Sequence, residues 1–452
     1  MDIELQRYIE SHIRDYVEDL KRLCRQPSVA ATNQGVYECA QLTKLMLEET
    51  GLEAQIIPTN DVRYPVVYAT RIGSSTKNLL FYNHYDVQPA EPLELWDSAP
   101  FEPTERKGRI YARGVSDDKG HLVARLAAIK AILAVRGELP VGVKFCIEGA
   151  EEIGSPGFAQ FVESHLDLLK SDACIWEGGG VDWDGTPQIT LGLKGILYVE
   201  LQNKSATRDS HSSYGTIITN PAWRLVWALS SIKDQNEKIL IPGFYDEVIK
   251  PTPLELKAIS NMANDDEQLK LELGITRFVT GVSGETLRRR HLLEPTCTIC
   301  GIESGYTGEG TKTVLPAIAR VKLDFRLVPN QSPEDILAKL KAHLNTQGFK
   351  DITINYSDGV PPSRTAMDSQ FVSLVTETAR DVYQREPILV PTMAGSGPMH
   401  SISQGLGVPI ASSGISFPDE KLHAPNENAR VDYFLKGILH AAAILDQFGR
   451  NE

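Results

Sequence analysis

Strand-like apolar runs alternate with helix-like runs through residues 37–190, and no other feature of the chain constrains its fold as tightly. "YECAQLTKLMLEET" (37–50) has helical spacing and ends at Gly51, a fitting stop. The strands "EAQIIP", "VVYATRI" and "NLLFYNH" follow. Next come the helix "HLVARLAAIKAILAVRG", the strand "VGVKFCIEGAEEIGS" with a polar end, and the helix "GFAQFVESHLDLLK". Such alternation predicts an α/β fold, a mainly parallel sheet with helices on both faces.

Near residue 192 the texture changes to longer alternating strands with fewer helices: "GLKGILYVELQNK", "TCTICGIES", "TVLPAIARVKLDFRLVP" and "DITINYSDG". A smaller α+β domain inserted into the first is expected, with "GVPPSR" (359–364) as the return linker because two prolines resist helix and sheet. The expected division is residues 1–191 and 364–452 for one domain and 192–363 for the insert. At 452 residues, two domains are also what one would expect from length.

A formal net charge of −13 argues against a nucleic-acid partner, whose phosphates call for a basic surface. No apolar run approaches the roughly 20 residues that span a bilayer, so no membrane partner is expected. Residues 1–30 read as one acidic amphipathic helix without the basic and apolar regions of a signal peptide. Six scattered cysteines make no disulfide framework and point to the cytoplasm. Cys297 and Cys300 form a lone C-x-x-C in a strand-like run, which places their sulfurs on opposite faces.

Five polar clusters carry the chemistry: "NHYD" (83–86), "VSDDKG" (115–120), "GAEEIGS" (149–155), "IWEGGG" (175–180) and "KLHAPNE" (421–427). Four fall at or just after the end of an apolar strand, where open α/β sheets place ligands, and the fifth precedes the last helix. His84 and Asp86 are two residues apart at such an end, so their side chains share a face. Taken singly, each cluster also fits a solvated turn or a helix cap. Adjacent acids raise each other's pKa unless a cation neutralises them, so Asp117–Asp118 and Glu151–Glu152 together with two histidines suit a divalent metal.

In order and spacing, "HYDVQP", "ARGVSDDKG", "EGAEEIGS", the Glu of "IWEGGG", "TKTVLP", "DFRLVPNQ" and "LHAPNE" resemble the cocatalytic dizinc metallopeptidases. That family includes glutamate carboxypeptidase, aminoacylase and carnosinase-type dipeptidases, and the likeness runs from about residue 20 to the end, following the cytosolic dipeptidase branch. The resemblance implies two divalent ions, Zn2+ foremost, with Mn2+ or Co2+ also suited. It implies Asp117 as the shared carboxylate, His84 and Glu177 completing one metal site, and Glu152 and His423 the other. Glu151 would be the general base and Asp86 the carboxylate that orients the His84 ring. A cis peptide after Asp117 is implied too.

For the insert, the resemblance implies a lid and dimerisation domain, hence a homodimer, with His211 stabilising the oxyanion from the partner subunit. Arg326 would clamp the substrate carboxylate, with Thr313 and Ser396 in the same pocket. Dipeptides or short peptides are the expected substrates, and N-acyl amino acids the alternative. Two departures stand out. Dipeptidases of the family usually carry Asp where Glu177 stands, and acylases and carboxypeptidases usually carry Glu; the loop after His211 reads "SSYG" where the carnosinase branch is richer in glycine.

Other function classes fit less well. "GYTGEGTKT" (305–313) approaches a phosphate-binding loop, but Thr311 intrudes before Lys312 and a strand follows instead of a helix. A binding protein that had lost catalysis would lack the base or a ligand, and neither is missing.

Overall fold

The computed structural model describes residues 2–450. The chain divides into two compact units, one built of Met1–Gly192, Arg364–Pro391 and Gly397–Glu452, the other of Leu193–Ser363 with Thr392–Ser396.

The first unit is organised around a six-stranded sheet in the order Glu53–Ile57, Val66–Arg71, Gly142–Glu148, Asn78–His84, Ala173–Trp176, Ile410–Ser412. The last four of these strands run parallel to one another. The two at the first edge are antiparallel to their neighbours, where alternation alone predicts parallel pairing. The short link 58–65 accounts for the first of these pairings, because a parallel crossover needs a dozen or more residues. Residues 79–84 are all buried, as expected for a strand covered on both faces. Helix Lys119–Arg136 packs against the closing helix Val431–Arg450, and its first two turns are buried on every side.

The N-terminal helix expected as one piece is two, Ile3–Ser11 and Ile13–Cys24. At the break, Ser11 Oγ and His12 Nδ1 lie 2.9 and 2.8 Å from the Tyr8 carbonyl and compete with the backbone ladder. The helix after Gly157 is divided at His165, whose Nδ1 sits 2.8 Å from the Phe161 carbonyl. A small antiparallel ribbon, Thr104–Arg106, Arg109–Tyr111 and Asn428–Arg430, brings the segment before Asp117 beside the segment after His423.

The second unit has a four-stranded antiparallel sheet ordered Thr296–Ser304, Ile318–Leu327, Gly195–Lys204, Ile352–Val360. Alternate residues Leu197, Val199 and Leu201 and Val321, Leu323 and Phe325 pack with Leu225, Ile232, Ile336 and Leu340 of helices Pro221–Ile232 and Pro333–Thr346. Cys297 is buried as a core residue, whereas Cys300, expected to be core or half-buried, is exposed at an irregularity of the strand between Ile299 and Gly301. Among the described residues, no helix is long and apolar enough to cross a membrane.

Candidate metal centre

The three central parallel strands end side by side, and each delivers acid or imidazole at its carboxyl end. His84 is the last residue of its strand, Glu151 and Glu152 open a single 3-10 turn after Glu148, and Glu177 follows Trp176. Asp117 and Asp118 stand just before helix Lys119–Arg136, joined by a cis peptide. His423 lies in the loop between Ile410–Ser412 and Asn428–Arg430, with φ of 58°.

Asp117 connects the two histidines. Its Oδ1 lies 3.1 Å from His84 Nε2 and its Oδ2 lies 3.0 Å from His423 Nε2. Glu152 Oε2 is 3.2 Å from His423 Nε2, and Glu177 Oε2 is 3.7 Å from His84 Nε2. Two sets of donors result, each with ligand atoms within 4.8 Å of one another: Asp117, Glu152 and His423, and His84, Asp118 and Glu177. Asp118 thus stands with His84 and Glu177 alongside the Asp117 that the resemblance assigns there.

The donor set suits a divalent cation. Asp118 Oδ1 and Glu177 Oε2 are shut off from solvent, yet neither has a hydrogen-bond donor among the described residues. Such orphaned carboxylate oxygens are costly unless a cation faces them. Burial pushes Asp118 up to about 6 and holds Glu177 well above the usual carboxylate range. Burial, reinforced by the charges of Glu152, Asp117 and Asp86, pushes Glu151 up to about 8. Burial disfavours charge on His84, but its hydrogen bonds to Asp117 and Asp86 and the Glu177 charge outweigh it and raise the imidazole well above its ordinary value. Hydrogen bonds to Asp117 and Glu152 carry His423 up to about 10. A cluster that collects protons in the absence of another cation is one that divalent ions discharge.

Buried neighbours hold these donors in place. Asp86 accepts the amides of Glu151 (3.2 Å) and Glu152 (3.1 Å). Its backbone carbonyl is 3.1 Å, and its carboxylate 3.4 Å, from His84 Nδ1. Gln88 Nε2 donates to Glu152 Oε2 at 2.8 Å. Arg125 donates to the Tyr82 carbonyl, Asn83 Oδ1 and the Trp176 carbonyl, each at 2.5 Å, so it ties together the two strand ends that carry His84 and Glu177. Asn83 in turn donates to Asp118. Asp118 is legible as half of an acid pair suited to a metal, whereas Gln88 and Arg125 escape a sequence reading, although a lone arginine inside the apolar run "HLVARLAAIKAIL" signals a buried partner.

The second unit brings its four candidates together in pairs. Thr313 Oγ1 lies 3.4 Å from His211 Nε2, and His211 Nδ1 is 2.9 Å from Ser213 Oγ. Arg326 Nη1 donates to Ser396 Oγ at 2.8 Å, and its Nε to Asp324 at 3.2 Å.

Comparison with known proteins agrees with this architecture. The crystal structure of Sso-CP2, an M20 family metallo-carboxypeptidase from Sulfolobus solfataricus, matches with a TM-score of 0.89 at 40% identity, covering 100% of both chains. A Cys-Gly metallodipeptidase of Schizosaccharomyces pombe is 29% identical over 462 residues, 96% of each chain. The human Beta-Ala-His dipeptidase is 29% identical over 416 residues, 85% of this chain and 80% of its own. The model of peptidase family M20/M25/M40 matches residues 80–447, and the chain belongs to that family.

Proposed function

We propose that the protein is a metal-dependent hydrolase that cleaves the amide bond next to a free carboxylate in dipeptides or short peptides. One observation carries the proposal: the two oxygens of Asp117 are directed to two different imidazoles, each with its own further carboxylates. His84 and Glu177 would hold one ion, Glu152 and His423 the other, and Asp117 both. Zn2+ fits these nitrogen and oxygen donors, as do Mn2+ and Co2+. When bound, such a pair of ions polarises the substrate carbonyl and acidifies the attacking water.

Glu151 is the base, taking a proton from that water and delivering it to the leaving amine. Its backbone is fixed by Asp86, while its carboxylate belongs to neither donor set. Arg326 matches a substrate carboxylate with a planar guanidinium that Asp324 and Ser396 orient. His211, with Thr313 beside it, would supply a donor to the developing oxyanion from the partner subunit. A homodimer formed through the inserted unit is supported by Trp223 and Trp227, stacked at 5.9 Å and 56% and 51% exposed. Exposed Ile299 and Ile302 on the outermost strand support it as well. Six free thiols fit the cytoplasm.

Glu177 and the 40% identity to a metallo-carboxypeptidase favour a second reading, removal of a C-terminal residue from longer or N-blocked peptides. A panel of dipeptides, N-blocked peptides and N-acetyl and N-succinyl amino acids, run on chelator-stripped and reloaded enzyme, separates these possibilities. Hydrolysis of free dipeptides is expected; turnover of N-blocked peptides alone establishes the second reading, and turnover of acylated amino acids alone overturns both.

A further inference from the structure

Glu427 is completely buried, four residues beyond His423, and is neither a candidate ligand nor a candidate base. A buried carboxylate is tolerated only where charge and hydrogen bonds compensate it. Here Oε2 accepts from Arg113 Nη1 at 2.6 Å and from the Gly114 amide at 2.9 Å. Oε1 accepts from the amides of Ser116 at 3.0 Å and Asp117 at 3.1 Å. The Glu427 carbonyl takes the Ala112 amide at 3.2 Å.

These bonds begin where the strand ladder stops. Tyr111 is the last residue of its strand and pairs with Asn428, so the backbone from 112 to 117 has no strand partner. One glutamate takes the amides of Ala112, Gly114, Ser116 and Asp117 in place of a sheet, while those of Arg113 and Val115 go to the Pro100 and Ala112 carbonyls. The amide of Asp117 is anchored on Glu427 while its carboxylate is directed to His84 and His423. His423, the short loop to Glu427, and Asp117 therefore close a ring of contacts.

We propose that Glu427 is a positioning residue for Asp117, setting the shared carboxylate in register with His423 so that both ions can bind; the inference rests on Asp117 being a metal ligand. Charge and two acceptor oxygens are both required. A glutamine offers one oxygen and must turn its amide hydrogens toward either the guanidinium or the backbone amides, which are themselves donors.

The test is titration of the metal-free protein with Co2+, followed by visible absorption, for wild type, Glu427→Gln, Glu427→Asp and Asp117→Asn. Folded Glu427→Gln should bind Co2+ about 10 to 100-fold more weakly and show a shifted absorption band. Wild-type affinity and band in that variant, with only thermal stability lowered, would reduce Glu427 to a structural role. If Glu427→Gln does not fold, Glu427→Asp decides, because it keeps the charge but withdraws the carboxylate by one methylene. About 10-fold weaker binding is expected there, and wild-type binding overturns the inference. Unchanged binding in Asp117→Asn contradicts the ligand assignment itself. Loss there alongside unchanged Glu427 variants overturns only the role of Glu427.

Discussion

Asp86 Oδ1 accepts the backbone amide of Glu151 at 3.2 Å, so the carboxylate beside the His84 ring also fixes the residue assigned as base. Oδ2 does the same for Glu152 at 3.1 Å. One side chain thus sets the relative position of an imidazole, a carboxylate donor and a proton acceptor.

Replacing Asp86 by Ala removes the carboxylate from both amides and from the His84 ring, which keeps only the residue 86 backbone carbonyl 3.1 Å from Nδ1. Metal affinity or turnover should fall about 10 to 100-fold, measured by titration of the stripped protein and by steady-state hydrolysis. If both stay at wild-type level, Asp86 is spent on local packing alone.

Glu151→Gln leaves every member of both donor sets in place. The variant should keep its full metal content by elemental analysis while turnover drops by several orders of magnitude. Hydrolysis at the wild-type rate would remove Glu151 from the role of base.

His211 belongs to neither donor set. In His211→Ala, turnover should fall while metal content holds, and mixing this variant with a metal-site variant should restore some activity through hybrid dimers. No restoration in verified hybrids would argue against a contribution across subunits.

Arg125 donates to three acceptors buried with it. Arg125→Met strands the Tyr82 and Trp176 carbonyls and Asn83 Oδ1, at about 1–3 kcal/mol for each unsatisfied group. A lowered melting temperature of the metal-free protein is expected, and an unchanged one would show that the strand ends hold their positions without it.

His440 gives a pH signature remote from the metal donors. It is buried, with Nδ1 2.8 Å from Ser413 Oγ and Nε2 3.1 Å from the Val375 carbonyl, and burial brings it from 6.5 down to about 4. The unfolded imidazole takes a proton near pH 6.5 and the folded one near pH 4, so the unfolded state binds more protons in between. Stability from this group is complete above pH 6.5 and falls on acidification, by about 2 kcal/mol at pH 5. The metal-free wild type should therefore lose more thermal stability between pH 7 and 5 than metal-free His440→Gln; equal losses would contradict the assignment.

The sites where ligands sit were legible in the sequence because each polar cluster interrupts or follows an apolar run whose period identifies it. His84, Glu152 and Glu177 are readable as strand-end residues, and the order of clusters carries the family likeness. Of the residues that hold those donors, Asp86 was readable from its place two residues beyond His84, and Arg125 and Glu427 were not. Arg125 acts on backbone carbonyls of two strands, and Glu427 on amides some 310 residues earlier in the chain, so neither leaves a spacing pattern. The break at His12 was equally hidden, because a side chain that competes for a helix carbonyl does not disturb the apolar period.

The central claim is a centre of two ions that share Asp117, and the most direct measurement counts the ions that restore hydrolysis. Chelator-stripped protein, titrated with Zn2+ or Co2+ and assayed on dipeptides, should regain full activity at two equivalents per chain, and Asp117→Asn should regain none. Hydrolysis that persists in the stripped protein, or Asp117→Asn restored to the wild-type level, would contradict it.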